Sequence, residues 1–329
     1  MLDELEQLKR LSAKVGRDLT LTQGAGGNTS LKQDGQLFVK ASGKWLANAC
    51  EEPMFLPVDL ERVRRAIPVG CEDPDAAKPL IETPLRASIE TSFHALLPQS
   101  VVVHVHSINT IAWAIQREGA DRLEALLTGL EWRWVPYIRP GLPLTRLIAE
   151  RLAPQVNVWV LANHGLIVAA DTVAEAEALL NEVESRLAIE PDPQPWEEEK
   201  LKGLCANGQF QLPKHPVAHQ AALGKRRVRH AIEGSLYPDH TVFLGPACAS
   251  INRMDQFRKQ WKMEPKAVVV EGAGLLLAAG VSDGAQEMAA CLGLLLERVD
   301  AVGDVVYLHR EEVCGLMNWD AEKYRQSLT

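Results

Sequence analysis

The stretch Val101–Ser107, "VVVHVHS", reads as a β-strand that carries two histidines, His104 and His106, one residue apart. Three consecutive valines favour a buried strand. Side chains alternate across a strand, so both imidazoles face the same side and can converge on one point. A metal ion suits such a pair. From these residues alone, two half-buried core histidines donating to backbone carbonyls are an equal alternative. Just upstream, "TPLRASIETSFHALLP" (Thr83–Pro98) predicts a helix that runs straight into the strand.

Further along lies "ANHGL", where His164 sits at a strand break. The glycine beside it lets the chain turn and aim the ring into a cleft. His164 is the natural third ligand, because catalytic zinc typically takes three protein ligands and leaves one position open. Glu90, in "SIETSFH", is placed on the helix before the paired histidines, as a fourth ligand, a base, or a solvated helix carboxylate. His94 comes one turn later on the same face. Two glycine-bearing turns offer donors for an anion: "GAGGNTS" at Gly24–Ser30 and "KASGK" at Lys40–Lys44, with Ser88 able to join them. The first is no dinucleotide fingerprint, because the next residues, "SLKQDGQLFVK", read as a hairpin and not a helix.

The 329 residues suffice for about two domains. A formal charge of −8 argues against a nucleic-acid partner, which needs a basic stripe. The six cysteines, at 50, 71, 205, 248, 291 and 314, form no CxxC pair and read as reduced thiols. With no secretory leader and no long uncharged apolar run, the expectation is a cytoplasmic protein away from membranes. Leu2–Val15 predicts a first helix, and Thr172 caps a strong amphipathic helix in "TVAEAEALLNEVESRLAIE". Glu190–Pro216 turns rich in proline and charge and marks a boundary. Beyond it, "TVFLG", "AVVVEGAGLLLAAG" and "DVVYLH" are candidate strands, with a long apolar helix at 285–299. The segments 160–187 and 268–299 echo each other as strand, turn, strand, helix. Gly165 falls on Gly274, and His164 falls on Ala273. A degenerate repeat and convergence on one α/β unit both account for this.

Five motifs in this order, "GGNTS", "KASG", "SIETSFH", "HVH" and "NHGL", resemble the class II aldolase/adducin family over roughly Leu2–Glu190. Within it, the aldolase part of bacterial rhamnulose-1-phosphate aldolase/alcohol dehydrogenase proteins is the most similar branch. No glycine-rich nicotinamide motif accompanies it, so no NAD dependence is expected. The resemblance implies an α/β (α+β) fold with a central mixed or antiparallel sheet flanked by helices. Residues 1–195 would form the metal-binding catalytic domain, 196–216 a linker, and 217–329 a second, smaller α/β domain. By the same resemblance His104, His106 and His164 bind Zn2+ or another divalent ion, and Glu90 is the acid/base. Gly27, Asn28, Ser42, Gly43 and Ser88 fall in phosphate-binding turns. Ala25 stands where fuculose-phosphate aldolase has a threonine, which removes one phosphate donor. Tyr137 and His240 are the candidates for a leaving-group acid. The implied activity is retro-aldol cleavage of a ketose or ketose 1-phosphate through a metal-stabilised enediolate, in a homo-oligomer. The alternatives are a sugar-phosphate epimerase, dehydratase or decarboxylase on the same scaffold, or a non-catalytic adducin-like interaction protein.

Overall fold

The computed structural model describes residues 3–68, 75–299 and 303–328. Cys71 lies outside them. Helix α1 (Glu4–Arg17) leads into the hairpin β1 (Asn28–Gln33) and β2 (Gln36–Lys40), then β3 (Phe55–Asp59) and α2 (Leu60–Ala66). Helix α3 (Thr91–Leu96) precedes β4 (Val101–Val105). Helices α4 (Ile108–Ala114) and α5 (Gly119–Leu126) come before β5 (Trp132–Val135), and α6 (Leu142–Ala149) before β6 (Val158–Leu161). The chain then turns into β7 (Gly165–Ala170) and α7 (Val173–Leu187). Thr172 caps α7 in a capping box with Glu175.

These strands form one sheet in the order β3-β2-β1-β4-β7-β6-β5, antiparallel throughout except for the parallel pair β5/β6. Strand β4 lies in the middle and is buried along its whole length. Val101, Val103 and Val105 pack against α1 and α7, while Val102 packs with Phe93, Leu144 and Ile148 of α3 and α6. Alternation then puts His104 and His106 on the α3 side of the sheet.

The second part comprises α8 (Glu198–Cys205), β8 (Phe210–Gln211), α9 (Lys225–Glu233), β9 (Ala249–Ser250), α10 (Met254–Trp261), β10 (Ala267–Val270), β11 (Gly274–Ala278), α11 (Asp283–Val299), α12 (Arg310–Asn318) and α13 (Asp320–Gln326). Its sheet order, β8-β11-β10-β9, repeats the order and relative directions of β4-β7-β6-β5. The registers match as well. Leu161 faces Gly165 across one turn and Val270 faces Gly274 across the other, and the middle turn residues, Asn163 and Gly272, both have positive φ (52° and 74°). Val103 pairs with Val168 as Gln211 pairs with Leu277. Counting on, Leu212, Lys214 and Ala273 stand where the first sheet has His104, His106 and His164. The two parts share a core in which Ile108, Ile111 and Ile115 of the first pack with Leu292, Leu295 and Leu296 of α11.

Four sequence expectations change. The helix expected from Thr83 begins only at Thr91, because the residues before it run alongside β2, with Ala87 pairing with Ala41 in a β-bridge and the Ser88 amide donating to the Lys40 carbonyl. Residues 196–216, expected as a linker, carry α8 and β8. "TVFLG" lies in a buried π-helical turn, His240–Leu244, since a short apolar run does not distinguish a strand from a buried helix. "DVVYLH" contributes one bridge, Val305 to Gln116, and no strand.

Gly165 is required by space. A Cβ there would lie 2.4 Å from the Val105 carbonyl oxygen. Gly165→Ala should cost about 1–3 kcal/mol through the forced shift, read as a lower urea midpoint. An unchanged midpoint would contradict the β4/β7 register.

Candidate metal centre

The register of the sheet assembles the centre. Asn28, the first residue of β1, faces His104 on β4, and His104 faces Ile167 on β7. The tight turn before Gly165 swings His164 back over β4. The rings of His104, His106 and His164 lie with centroids 4.9–5.2 Å apart, and one nitrogen from each falls within 4.8 Å of the others. All three are buried. Glu90 sits at the N-cap position of α3, with its oxygens 3.5 Å from His104 Nε2 and 3.6 Å from His164 Nε2. It is buried, which rules out the solvated helix carboxylate.

A chain of hydrogen bonds orients these groups. Asn28 Nδ2 donates to Glu90 Oε2 at 2.8 Å and to Ser88 Oγ at 3.2 Å. The Asn28 carbonyl oxygen pairs with His94 Nε2, and His94 Nδ1 meets Ser30 Oγ at 2.7 Å. With Asn28 Oδ1 able only to accept, His94 carries its proton on Nε2 and takes one from Ser30. His104 Nδ1 donates to the Leu166 carbonyl at 2.9 Å, which leaves Nε2 as a bare lone pair. Among the described residues that Nε2, like Glu90 Oε1, is buried without a hydrogen-bond partner. Unpaired buried acceptors converging on one point are costly without a guest. Three imidazoles and a carboxylate are the donor set of a divalent transition-metal site, so the residues fit such an ion.

Burial, only partly offset by Glu90, lowers the pKa of His104 to about 4 and of His164 to about 3, so both rings are neutral at neutral pH. Burial alone would raise Glu90. The charge that His104 and His164 take up in acid and the Asn28 hydrogen bond outweigh it, so the carboxyl stays ionised down to about 2.

The cavity over the centre measures only about 30 Å3, on the order of one water molecule. Its lining includes Gly27, Asn28, Ser42, Gly43, Ser88, Glu90, His106 and His164. Helix α13 closes it with Glu322 and Arg325, and Leu328 rests on Gly43, where a Cβ would meet its Cδ1 at 2.5 Å. A larger cavity of about 690 Å3, sharing Ser88 and Ile89, lies alongside Trp319 and Ala321. Lys40, which the sequence offers to an anion, instead donates to the carbonyls of Ala25 and Gly27 at 2.8 Å each and pins the loop. Lys44 pairs with Glu52 near the surface.

Tyr137 and His240 do not line this cavity. The Tyr137 ring packs on the core around α11. His240 is fully buried against Tyr237, and its Nδ1 accepts from the Leu236 amide at 3.4 Å. Its neighbour Asp239 does reach the centre, with Oδ2 at 3.1 Å from His106 Nδ1. Arg325 pairs with Asp239, and its Nε lies 2.7 Å from Glu322. Sequence reasoning missed Asp239, Glu322 and Arg325, because no spacing links them to the histidines. The proline before Asp239, in "YPDH", is the one local hint of a shaped turn.

The neutral imidazoles set a pH dependence. Their ordinary value is near 6.5. As pH falls below that, the unfolded chain takes up protons that folded His104 and His164 refuse, so stability declines from pH 6.5 towards 4. The Glu90 contribution, present above about 4.5, is lost towards 2 and adds to the decline. The urea midpoint of chelator-treated protein should be level above pH 7 and fall below 6.5. A flat profile between pH 7 and 5 would contradict neutral buried rings.

No helix among the described residues is long and apolar enough to cross a membrane. Residues 6–190 match the sequence profile of the Class II Aldolase and Adducin N-terminal domain. A Bacillus subtilis protein described as "Uncharacterized oxidoreductase YuxG" is 29% identical over 232 residues, 61% of this chain and 33% of its own length. The chain thus spans about a third of that curated relative. Among solved structures, the N-terminal class II aldolase domain of a conserved Thermoplasma acidophilum protein is similar at TM-score 0.51 and 24% identity, over 57% of this chain and 93% of that one. L-fuculose-1-phosphate aldolase from Thermus thermophilus is 19% identical over 55% of this chain and 92% of its own, at TM-score 0.36, too low to carry weight. The profile match, extending over more than half of the chain, places this protein in the class II aldolase and adducin family.

Proposed function

We propose that the protein is a divalent-metal-dependent aldolase acting on a ketose or ketose 1-phosphate. The observation that carries this reading is the meeting of three buried imidazoles with the unpartnered Oε1 of Glu90. His104, His106 and His164 would hold the ion, and Zn2+ suits neutral imidazoles in a small closed pocket. When bound, such an ion supplies Lewis-acid polarisation of a substrate carbonyl.

Glu90 supplies the proton chemistry. Its carboxylate is ionised at neutral pH and held by Asn28, so it takes a proton from the carbon next to the carbonyl in the condensation direction. In cleavage Glu90 would take the proton of the hydroxyl on the carbon being released, through water, and as a carboxylic acid deliver it to the carbon next to the carbonyl once the bond between them has broken. No Schiff-base lysine is needed. Lys40, lowered to about 7 by burial and then by Arg325, is committed to loop carbonyls. Ser42, Gly43 and Ser88 supply neutral donors on the wall of the same cavity for the substrate's hydroxyl or phosphate oxygens, while both Asn28 amide hydrogens stay on Glu90 and Ser88. Glu322 and Arg325 of α13 stand over this cavity, and the larger cavity beside it shares Ser88 and Ile89.

Two measurements test the reading. Protein purified without chelator should hold about one divalent ion per chain, and His106→Ala should lose it; full occupancy in that variant removes His106 from the ligand set. On a panel of ketoses and ketose 1-phosphates, the protein should release a triose or its phosphate together with an aldehyde. Glu90→Gln should slow that release by about 10²–10⁴-fold. Epimerised, dehydrated or decarboxylated products in place of cleavage would reject the aldolase assignment.

A further inference from the structure

Resting on the metal-centre reading above, we propose that Asp239, delivered from the second sheet unit, is the positioning carboxylate of His106. It accepts the Nδ1 proton and so turns the Nε2 lone pair towards the ion. The three histidines need their tautomers fixed, since a ring that carries its proton on the ligating nitrogen cannot bind metal. For His104 the Leu166 carbonyl does this within the first sheet. For His106 the group facing Nδ1 is Asp239 Oδ2 at 3.1 Å, a buried oxygen that makes no aligned hydrogen bond among the described residues and is close enough to accept the Nδ1 proton with a small turn of the ring.

The surroundings are shaped for this contact. Gly26 passes so close that a Cβ would lie 2.8 Å from His106 Nδ1 and 3.1 Å from Asp239 Oδ2, so the side-chain space at Gly26 is filled by the pair. Asp239 is steered in turn by Arg325 through its other oxygen, and Arg325 is held by Glu322 on the same helix and by the face of Phe243. Asn163, in the turn that bears His164, donates to the carbonyls of Leu236 at 3.0 Å and Val306 at 2.7 Å, tying that turn to the segment that carries Asp239. The second unit has Leu212, Lys214 and Ala273 at the positions corresponding to the three ligands. Its contribution to the chemistry is therefore an outer carboxylate, supplied within one chain.

The test reads tautomer and affinity separately from activity. In metal-free protein labelled with 15N-histidine, the His106 signals, assigned by their loss in His106→Gln, should report a protonated Nδ1. In Asp239→Ala they should shift to a mixture with protonated Nε2. Zn2+ affinity, measured by chelator competition, should fall about 10–100-fold in that variant. Should Asp239→Ala not fold, Asp239→Asn preserves the volume and should still bind about tenfold more weakly, with the Nδ1–H tautomer kept by the amide oxygen. A protonated Nε2 in the unaltered protein, or unchanged Zn2+ affinity in a folded variant, overturns the proposal and leaves the three-histidine reading standing. Failure of the unaltered protein to bind Zn2+ removes the metal-centre reading, and the His106 tautomer, read without metal, then decides the Asp239 contact on its own.

Discussion

Three imidazoles and an ionised carboxylate are buried together around a space of about 30 Å3, and the rest of the fold answers to that constraint. Each of these groups is costly to bury without a partner, and the cost is tolerable only when every other polar atom nearby is satisfied in a fixed direction. The centre is therefore built from elements that move little. One ring comes from the middle strand of a seven-stranded sheet, a second from the residue just past its end, and the third from a three-residue turn followed by a glycine that abuts the same strand. The carboxylate sits at a helix N-cap, held by Asn28.

The hydrogen-bond chain from Ser30 through His94 and Asn28 to Glu90 shows how packing becomes chemistry. His94 does not line the cavity, yet it fixes which way the Asn28 amide points, and the amide decides which Glu90 oxygen is engaged and which is free. Phe93 stacks on His94 with centroids 4.5 Å apart and meets His104 edge-on at 5.6 Å. One apolar side chain of α3 thus braces both the support and the proposed ligand.

What can be read from the sequence divides along the same line. His104 and His106 are legible because a strand's period of two is local and strict, and His164 because a glycine beside a histidine at a strand break marks a turn. The motif around Glu90 puts it near the histidines, although the apolar pattern there extends the helix too far upstream, into the segment that pairs with Ala41. Asn28, Ser42 and Ser88 stand out as turn residues with donors. Asp239 and Arg325 do not, since their relation to the site exists only after the second unit has docked, and no periodicity encodes a docking. His240 draws attention as a titratable side chain, while the adjacent Asp239 is the one that faces His106. The echo between the two halves is visible as pattern; only the shared strand order and register show that it extends to four strands.

Charge gives the cluster its logic. Glu90, Asp239 and Glu322 face Arg325 and Lys40 across a few ångströms of low-dielectric interior. With every group ionised, the carboxylates exceed the cations by one, and the Lys40 proton is loosely held because burial lowers its pKa to about 7. Such a site repels an anion and attracts a cation, and Coulomb terms at this separation are far larger than in water. On the proposed reading a divalent ion reverses that balance, turning a region hostile to a sugar phosphate into one that favours it. Binding would then be ordered, ion before substrate. The lining donors Ser42, Gly43 and Ser88 are all neutral, which fits a pocket whose positive charge is to come from the guest and not from the chain.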